Sequence, residues 1–219
     1  MKSEVFMSER IICLGDSITE GIGDSRNLGW PGRLGQYLAE QYPDKWHINN
    51  LGVAGDTSFS LHHRLLSEVL YRSPRKLIIA GGVNDTIKKL WPEGIGSKVD
   101  INQARVNWAS ILEILKKLDI ETVFIGQLPV DETMMPLIYM PADDQDQGIR
   151  AYNDLIKPYN QMLGKLVRTY GYTYVDLFDE WQERDYAALL CDGLHPNAEG
   201  YDMLAGDMIK ACGELSFFK

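Results

Sequence analysis

Short apolar segments alternate along this chain with longer segments in which apolar residues recur at helical spacing. The apolar segments are rich in Ile, Leu and Val, which is typical of strands that helices cover on both faces. We predict five strands, at residues 10–14, 47–51, 76–81, 121–126 and 172–177. The alternation of strands with helices predicts βαβ units and therefore a parallel sheet.

Two helical segments have the clearest periodicity. In residues 100–118 the apolar side chains form one stripe, and Asp100 is placed to cap the helix start, with Gln103 three residues further on. In residues 198–212 the same pattern places Cys212 on the apolar face. We interpret this cysteine as a small core residue.

The other helical segments are less regular, and they cover residues 30–41, 57–71 and 151–170. Because proline lacks the backbone N–H that a helix interior needs, we expect Pro158 to kink the third of these helices or to mark its start. Residues 128–148 show no regular pattern, and an irregular stretch of that length in a compact domain is usually functional.

The chain length favours a single domain. At roughly 150 residues per domain, 219 residues are too few for two full domains, and 45% hydrophobic residues are an ordinary supply for one core. We predict one α/β domain that covers residues 1–219. Parallel strands joined by right-handed crossovers form a doubly wound sheet, and such sheets bind ligands beyond the carboxyl ends of their strands.

The charge balance argues against two classes of partner. A net charge of −9 repels the nucleic-acid backbone and anionic membrane surfaces over most of the protein. Residues 1–10 lack the apolar core of a secretory signal, and no apolar run approaches the ~20 residues that span a bilayer. Three cysteines without metal-site spacing fit a reducing compartment. We expect a cytoplasmic protein with no nucleic-acid partner and no stable membrane insertion.

Polar residues and glycines follow three successive strands of the predicted sheet. Ser17 lies where the first strand gives way to a turn, and Gly55 and Asn84 follow the second and third strands. The backbone N–H of Gly55 and the side-chain amide of Asn84 are the kinds of donor from which an oxyanion hole is built. Each residue alone also suits a turn or a helix cap, but their coincidence at one edge of the sheet favours a common site.

A histidine follows the fifth strand. A serine nucleophile needs a histidine base whose tautomer is held by a carboxylate, and Asp192 stands three residues before His195. Alone, this spacing is more typical of a surface turn. Cys191 does not follow a strand directly, so we interpret it as a bystander rather than as a thiol nucleophile.

Four motifs at these positions resemble the sequence blocks of the SGNH hydrolases, also called GDSL-type esterases and lipases. They are Gly-Asp-Ser-Ile at 15–18, Gly-Asp-Thr-Ser at 55–58, Gly-Val-Asn-Asp at 82–85 and Asp-Gly-Leu-His-Pro-Asn-Ala-Glu-Gly-Tyr at 192–201. They occur in the order that the family has. The one departure is Ile18, which replaces the leucine of the family's name by an apolar residue of similar volume.

The resemblance implies a flavodoxin-like α/β/α sandwich whose five-stranded parallel sheet has the order 2-1-3-4-5. It also implies hydrolysis of a small-molecule acyl ester or thioester through an acyl-serine intermediate, without a metal or an organic cofactor. Ser17 would be the nucleophile, His195 the base and later the acid, and Asp192 the residue that orients the imidazole. The N–H groups of Ser17 and Gly55 and the Asn84 amide would hold the oxyanion.

Two other interpretations stay open. In a flavodoxin-like binding protein, residues 17–21 would cradle the phosphate of a flavin or nucleotide. However, the glycine pattern that begins at Gly21 is not completed, because position 26 is Arg26, and this interpretation gives no role to Asp192 or His195. A non-catalytic scaffold of the same fold is disfavoured because all five expected site residues are present.

The most apolar loop of the chain begins near Met134 and Met135, and acidic residues follow it at 143, 144 and 146. Flexible methionines suit the lining of an acyl pocket. They also suit a covered hydrophobic patch or a contact between subunits. His62 and His63 have no third ligand nearby in the sequence, which disfavours a metal site.

Overall fold

The computed structural model describes residues 8–91, 94–137 and 148–219. The strands are β1 (Glu9–Gly15), β2 (Trp46–Gly52), β3 (Lys76–Ala80), β4 (Lys88–Trp91), β5 (Gly94–Ser97), β6 (Glu121–Ile125) and β7 (Thr173–Val175). The helices are α1 (Ser17–Glu20), α2 (Gly29–Gln41), α3 (Ser58–Val69), α4 (Val83–Thr86), α5 (Ile101–Leu118), α6 (Asn153–Thr169), α7 (Phe178–Gln182) and α8 (Ala198–Glu214). Short 3-10 turns lie at Leu70–Arg72, Glu132–Met134 and Tyr186–Leu189.

Five strands form one parallel sheet in the order β2-β1-β3-β6-β7. Counted within this sheet alone the order is 2-1-3-4-5, so the predicted fold is confirmed. Gly15 pairs with Gly52 on one side and with Ala80 on the other, so β1, β2 and β3 end level at one edge. Three of the candidate motifs follow that edge directly.

Helices cover both faces of the sheet because successive residues of a strand point to opposite sides. On one side, Ile11 of β1 belongs to a core that includes Trp30 of α2 and Tyr201 of α8. On the other side, Ile12 belongs to a core that includes Trp108 of α5. The molecule therefore has three layers, with a separate hydrophobic core on each side of the sheet.

The C-terminal turn is anchored in the first of these cores. Phe217 and Phe218 are buried in the same cluster as Ile11. The Phe218 carbonyl accepts hydrogen bonds from Trp46 Nε1 at 3.2 Å and from Lys45 Nζ at 3.3 Å. These bonds tie the end of the chain to β2.

Two details of the predicted helices need correction. Asp100 caps α5 as expected, since its side chain accepts the Asn102 N–H at 2.9 Å, but the Gln103 side chain donates to Asn107 rather than completing a reciprocal cap. Helix α6 runs without a break through Pro158. The alternative that this helix begins at the proline is therefore wrong.

The irregular stretch at 128–148 is described only at its two ends. A backbone bridge pairs Leu137 with Ile149, and a second one pairs Lys88 of β4 with Arg150. Strands β4 and β5 form an antiparallel hairpin that the sequence pattern did not indicate. Residues 138–147, which include the acidic positions 143, 144 and 146, lie outside the described residues.

Within the described part of the chain, no helix has both the length and the apolar character needed to cross a bilayer.

The buried Arg33 side chain joins α2 to Asp24 in the preceding loop and to Asp202 near the start of α8. Arg33 donates to Asp24 at 2.5 Å and to Asp202 at 2.6 Å. The Asp24 carboxylate also accepts the N–H groups of Leu28 and Gly29. Burial raises the pKa of Asp24, but the bonds from Arg33 and from the backbone outweigh burial and hold that pKa well below its usual range.

We predict that Asp24→Asn lowers the free energy of unfolding by about 3 kcal/mol at neutral pH, because the buried Arg33 charge loses its ionic partner there. The native pKa of Asp24 lies below its unfolded value. Its contribution to stability is therefore full above about pH 4 and declines as the pH falls further toward the native pKa. Urea unfolding of both proteins at about pH 7, 5 and 3.5 measures this difference.

The difference should be the same at the first two pH values and smaller at the third. Asp179→Asn is the matched control, since Asp179 pairs with Lys157 on the surface at 72% exposure, and it should cost less than about 1 kcal/mol. A difference for Asp24→Asn that grows on acidification would contradict the assignment.

Candidate active site

Ser17 lies at the turn where β1 passes into α1. The preceding residue, Asp16, caps this helix because its carboxylate accepts the Ile18 N–H at 3.1 Å. A Cβ at Gly15 would lie 2.0 Å from the Ala80 carbonyl oxygen. Close packing against the neighbouring strand β3 therefore explains the glycine at position 15.

His195 lies between Ser17 and Asp192. Its Nε2 is 2.8 Å from Ser17 Oγ, and its Nδ1 is 2.7 Å from Asp192 Oδ2. Ser17 and His195 are both buried, at 5% and 4% exposure. The structure therefore brings together the three residues that the sequence analysis selected from two distant motifs.

The Asp192 carboxylate is also held by its own loop. Its other oxygen accepts the N–H of Leu194 at 2.9 Å and the N–H of His195 at 2.8 Å. Burial raises the pKa of Asp192, but the hydrogen bonds from His195 and the loop outweigh burial and hold that pKa well below its usual range. Asp192 is therefore ionised at neutral pH and fixes the orientation of the imidazole.

Gly55 and Asn84 line a cavity of about 360 Å³ together with Ser17 and His195. The other described residues that line it are Ile22, Ala54, Lys98, Ile149 and Leu194. Gly55 has a φ of +83°, a left-handed conformation that favours glycine, and a Cβ there would meet no atom within 4 Å. Backbone conformation, rather than lack of space, therefore explains the glycine at this position.

Asn84 lies in the short helix α4, and its side chain connects that helix to the turn at Gly55. Its Nδ2 donates to the Asp56 carbonyl at 3.0 Å. A side-chain amide nitrogen carries two hydrogens, so the second remains for an acceptor in the cavity. The amide is thus oriented before any ligand arrives.

A buried polar network holds α4 in place. Asp85 is fully buried, and its carboxylate accepts the Ser58 N–H at 2.8 Å and the Tyr159 hydroxyl at 2.5 Å. The Tyr159 oxygen in turn accepts Trp108 Nε1 at 2.6 Å. Burial raises the pKa of Asp85, although these bonds oppose the shift. Sequence reasoning missed this network because Tyr159 and Trp108 lie outside the recognised motifs, although Asp85 and Ser58 lie within them.

Asp16 is a second buried carboxyl group beside the site. Burial raises its pKa to about 6, although the Ile18 N–H, the His195 charge and the Gly82 N–H oppose the shift. Its hydrogen bond from the Ile18 N–H holds the carboxylate within the turn that carries Ser17. Asp16 lies in the first motif, but its position in the sequence indicated no role for it.

Met134 and Met135 are not among the described residues that line the cavity. Met134 is 45% exposed and lies against Gly193. Met135 packs against a cluster that contains Leu194, which does line the cavity. Their role in an acyl pocket stays a prediction, and residues 138–141 of the same loop lie outside the described residues.

The remaining candidates occupy the positions expected of bystanders. Cys191 is exposed, and its backbone N–H donates to the His195 carbonyl at 2.8 Å. His62 and His63 lie on α3, where the His63 ring bonds the Phe59 carbonyl of the same helix. Across residues 8–91, 94–137 and 148–219, no group of three His, Cys, Asp or Glu side chains is placed to hold a metal ion.

Comparison with known proteins decides the family. A sequence profile of the GDSL-like lipase/acylhydrolase family matches residues 13–203, a span that contains all the candidate site residues from Ser17 to His195. The chain belongs to this family.

Two relatives and one solved structure extend this result. The chain is 28% identical over 217 residues to the GDSL esterase/lipase CPRD49 of Arabidopsis thaliana, an alignment that covers 95% of this chain and 80% of that protein. It is 23% identical over 203 residues to thioesterase 1/protease 1/lysophospholipase L1 of Escherichia coli K12, covering 93% and 83%. The crystal structure of a lipase/acylhydrolase from Enterococcus faecalis has the same fold, with a TM-score of 0.72 at 20% identity and coverage of 93% and 95%.

Proposed function

We propose that this GDSL-family protein is a serine ester hydrolase that cleaves small acyl esters or thioesters through an acyl-serine intermediate. The observation that carries the proposal is the hydrogen-bonded series from Ser17 Oγ to His195 Nε2 at 2.8 Å and from His195 Nδ1 to Asp192 Oδ2 at 2.7 Å. This is the arrangement of nucleophile, base and orienting carboxylate that activates a serine.

Acylation follows from these contacts. The Asp192 carboxylate accepts a hydrogen bond from the Nδ1–H group of His195, so Nε2 is the unprotonated nitrogen that accepts the Ser17 proton. As that proton moves, Ser17 Oγ attacks the substrate carbonyl and forms a tetrahedral intermediate whose oxygen carries the negative charge. Collapse of the intermediate expels the alcohol or thiol, which takes the proton from His195, and the acyl group stays on Ser17.

Deacylation repeats the same steps with water. His195 accepts a proton from water as the water attacks the acyl-serine, and it then returns that proton to Ser17 as the acid departs. We assign the N–H groups of Ser17 and Gly55 and the second Asn84 amide hydrogen to the oxyanion in both halves of the reaction. None of these steps uses a metal or an organic cofactor.

The cavity supports a small-molecule substrate. Its volume of about 360 Å³ and its apolar walls at Ile22, Ala54, Ile149 and Leu194 suit a short acyl or alcohol group. The relatives are named as an esterase/lipase and as a thioesterase and lysophospholipase. We propose a substrate in this range of esters and thioesters, and one catalytic domain over residues 1–219.

The contacts disfavour the alternative of a flavin- or nucleotide-binding protein. Ser17, which would begin the phosphate cradle, is engaged by His195 at 2.8 Å. Helix α1 has only four residues, too few to supply a strong N-terminal dipole to a phosphate. A yellow purified protein, or tight binding of a nucleotide, would support the alternative.

We predict that Ser17→Ala lowers kcat for ester hydrolysis by about three orders of magnitude or more, because the nucleophile is removed. The variant should also lose covalent labelling by a fluorophosphonate. Ser110→Ala is the matched control, since Ser110 donates to the Val106 carbonyl within α5, and it should keep both properties. Wild-type hydrolysis by a folded Ser17→Ala protein would reject the nucleophile and favour a non-catalytic or unrelated role for this turn.

We predict that Asn84→Ala costs roughly 3 kcal/mol of transition-state stabilisation, because one oxyanion donor is lost. The loss should fall on kcat, with KM little changed, when initial rates are measured with a p-nitrophenyl ester. Asn102→Ala, at an exposed position on α5, is the control. Equal kinetics for the two variants would remove Asn84 from the oxyanion hole.

We predict that Ala54→Leu narrows the cavity and reduces kcat/KM for p-nitrophenyl octanoate by about tenfold more than for the acetate. A loss that is equal across chain lengths would contradict an acyl group beside Ala54.

The double variant Met134→Ser/Met135→Ser tests, in the same assay, the prediction that these methionines line an acyl pocket. An unchanged chain-length preference in that folded variant would reject the methionine pocket.

A further inference from the structure

Arg64 joins three segments of the chain just beneath the candidate active site. It lies on α3, and its side chain is 16% exposed. Its Nε donates to Asp56 Oδ2 at 2.5 Å, and its Nη2 donates to the carbonyl oxygens of Gly15 and Leu51, both at 2.8 Å. One guanidinium group therefore connects the ends of β1 and β2 with the turn after β2.

Two of these contacts, with Gly15 and Asp56, lie within two residues of a residue of the proposed reaction. Gly15 is two residues before Ser17. The side-chain amide of Asn84 donates to the Asp56 carbonyl at 3.0 Å. Asp56 directly follows Gly55, whose N–H we assign to the oxyanion. A displacement of Arg64 would thus reach the nucleophile and both of the other oxyanion donors.

We propose that Arg64 is a positioning residue that sets the distance between the Ser17 turn and the oxyanion donors Gly55 and Asn84. This inference rests on the proposed hydrolase function. Neither Arg64 nor Asp56 is among the described residues that line the cavity. Arg64 therefore acts through the backbone that it holds and makes no contact with the substrate.

The chemistry of the three acceptors requires arginine at this position. A guanidinium group is planar and presents its donors in a fixed fork, so it can bind a carboxylate and two carbonyl oxygens at defined angles. A lysine at the same position carries the charge on a single nitrogen and cannot reproduce that geometry. Charge alone should therefore not restore the function.

The buried Asp56 carboxylate also depends on the Arg64 charge to compensate for its loss of hydration. Burial raises the pKa of Asp56, and the Arg64 charge is the largest influence that opposes this shift. Removing a partner from a buried charge leaves a desolvated group without compensation. The Asp56 side chain would be expected to move toward water and to carry the Gly55 turn with it.

The test compares Arg64→Lys with Arg184→Lys in the full chain. Arg184 is the matched control because it is a partly buried arginine, 26% exposed, that pairs with Asp207 and Glu180 away from the cavity. For Arg64→Lys we expect kcat on a p-nitrophenyl ester to fall by about 10- to 100-fold, since a misplacement of about 1 Å is enough for such a loss. KM should stay within about twofold, and Arg184→Lys should leave both constants unchanged.

A double-mutant cycle with Asn84→Ala identifies the route of the effect. If Arg64 acts by positioning the oxyanion donors, Arg64→Lys should cost much less in the Asn84→Ala background than in the wild type. Fully additive losses would overturn the proposal, because they would mean that Arg64 acts independently of Asn84. Wild-type kcat in Arg64→Lys would also overturn it.

The outcomes separate this inference from the proposed function. Fluorophosphonate labelling and ester hydrolysis by the wild type support the hydrolase, whatever Arg64→Lys does. A wild type that neither labels nor hydrolyses rejects the hydrolase and the role of Arg64 with it. If circular dichroism shows that Arg64→Lys does not fold, Asp56→Asn replaces it in the test. That variant removes the carboxylate partner of Arg64 but keeps its two carbonyl acceptors. It should show the same loss of kcat at unchanged KM.

Discussion

The hydrogen bond between Ser17 and His195 is the constraint on which the rest of the site depends. It joins residues 178 positions apart, so neither local sequence nor one supersecondary unit can form it. Ser17 is positioned by the sheet edge at which β1, β2 and β3 end level. His195 is positioned by helix α8, which begins three residues after it and packs against α2. The Tyr201 hydroxyl donates to the Ile22 carbonyl at 2.8 Å and draws the start of α8 toward the Ser17 turn.

Apolar packing and polar networks contribute differently to this arrangement. The two hydrophobic cores fix which helices cover which face, since burial of apolar surface is favourable but not directional. Hydrogen bonds to buried polar groups are directional, so these groups fix the positions of the turns. Asp85, Asp56 and Asp16 would each be costly to bury alone, and each is held by specific donors that restrict the position of one turn at the sheet edge.

Much of this protein could be predicted from its sequence. All five strands of the main sheet have an apolar pattern that separates them from the helices, and the residues that follow β1, β2 and β3 fall in recognisable motifs. The hairpin of β4 and β5 could not be predicted, because it is formed by backbone pairing between short strands and joined by a backbone bridge from Lys88 to the distant Arg150. Tyr159 and Arg64 were missed for a related reason: each acts on a turn far from it in sequence, and helical periodicity carries no information about such contacts.

The anchoring of Phe217 and Phe218 bears on how the molecule is made. These side chains fill the core between the sheet and helices α2 and α8, whereas the opposite core is closed by α3, α5 and α6, which are all synthesised earlier. During translation the second face of the sheet can therefore bury its side chains while the first face is still uncovered. A nascent chain could therefore form the end of β1 that carries Ser17 before α8 docks, and the docking of α8 would then bring His195 within hydrogen-bond distance of Ser17.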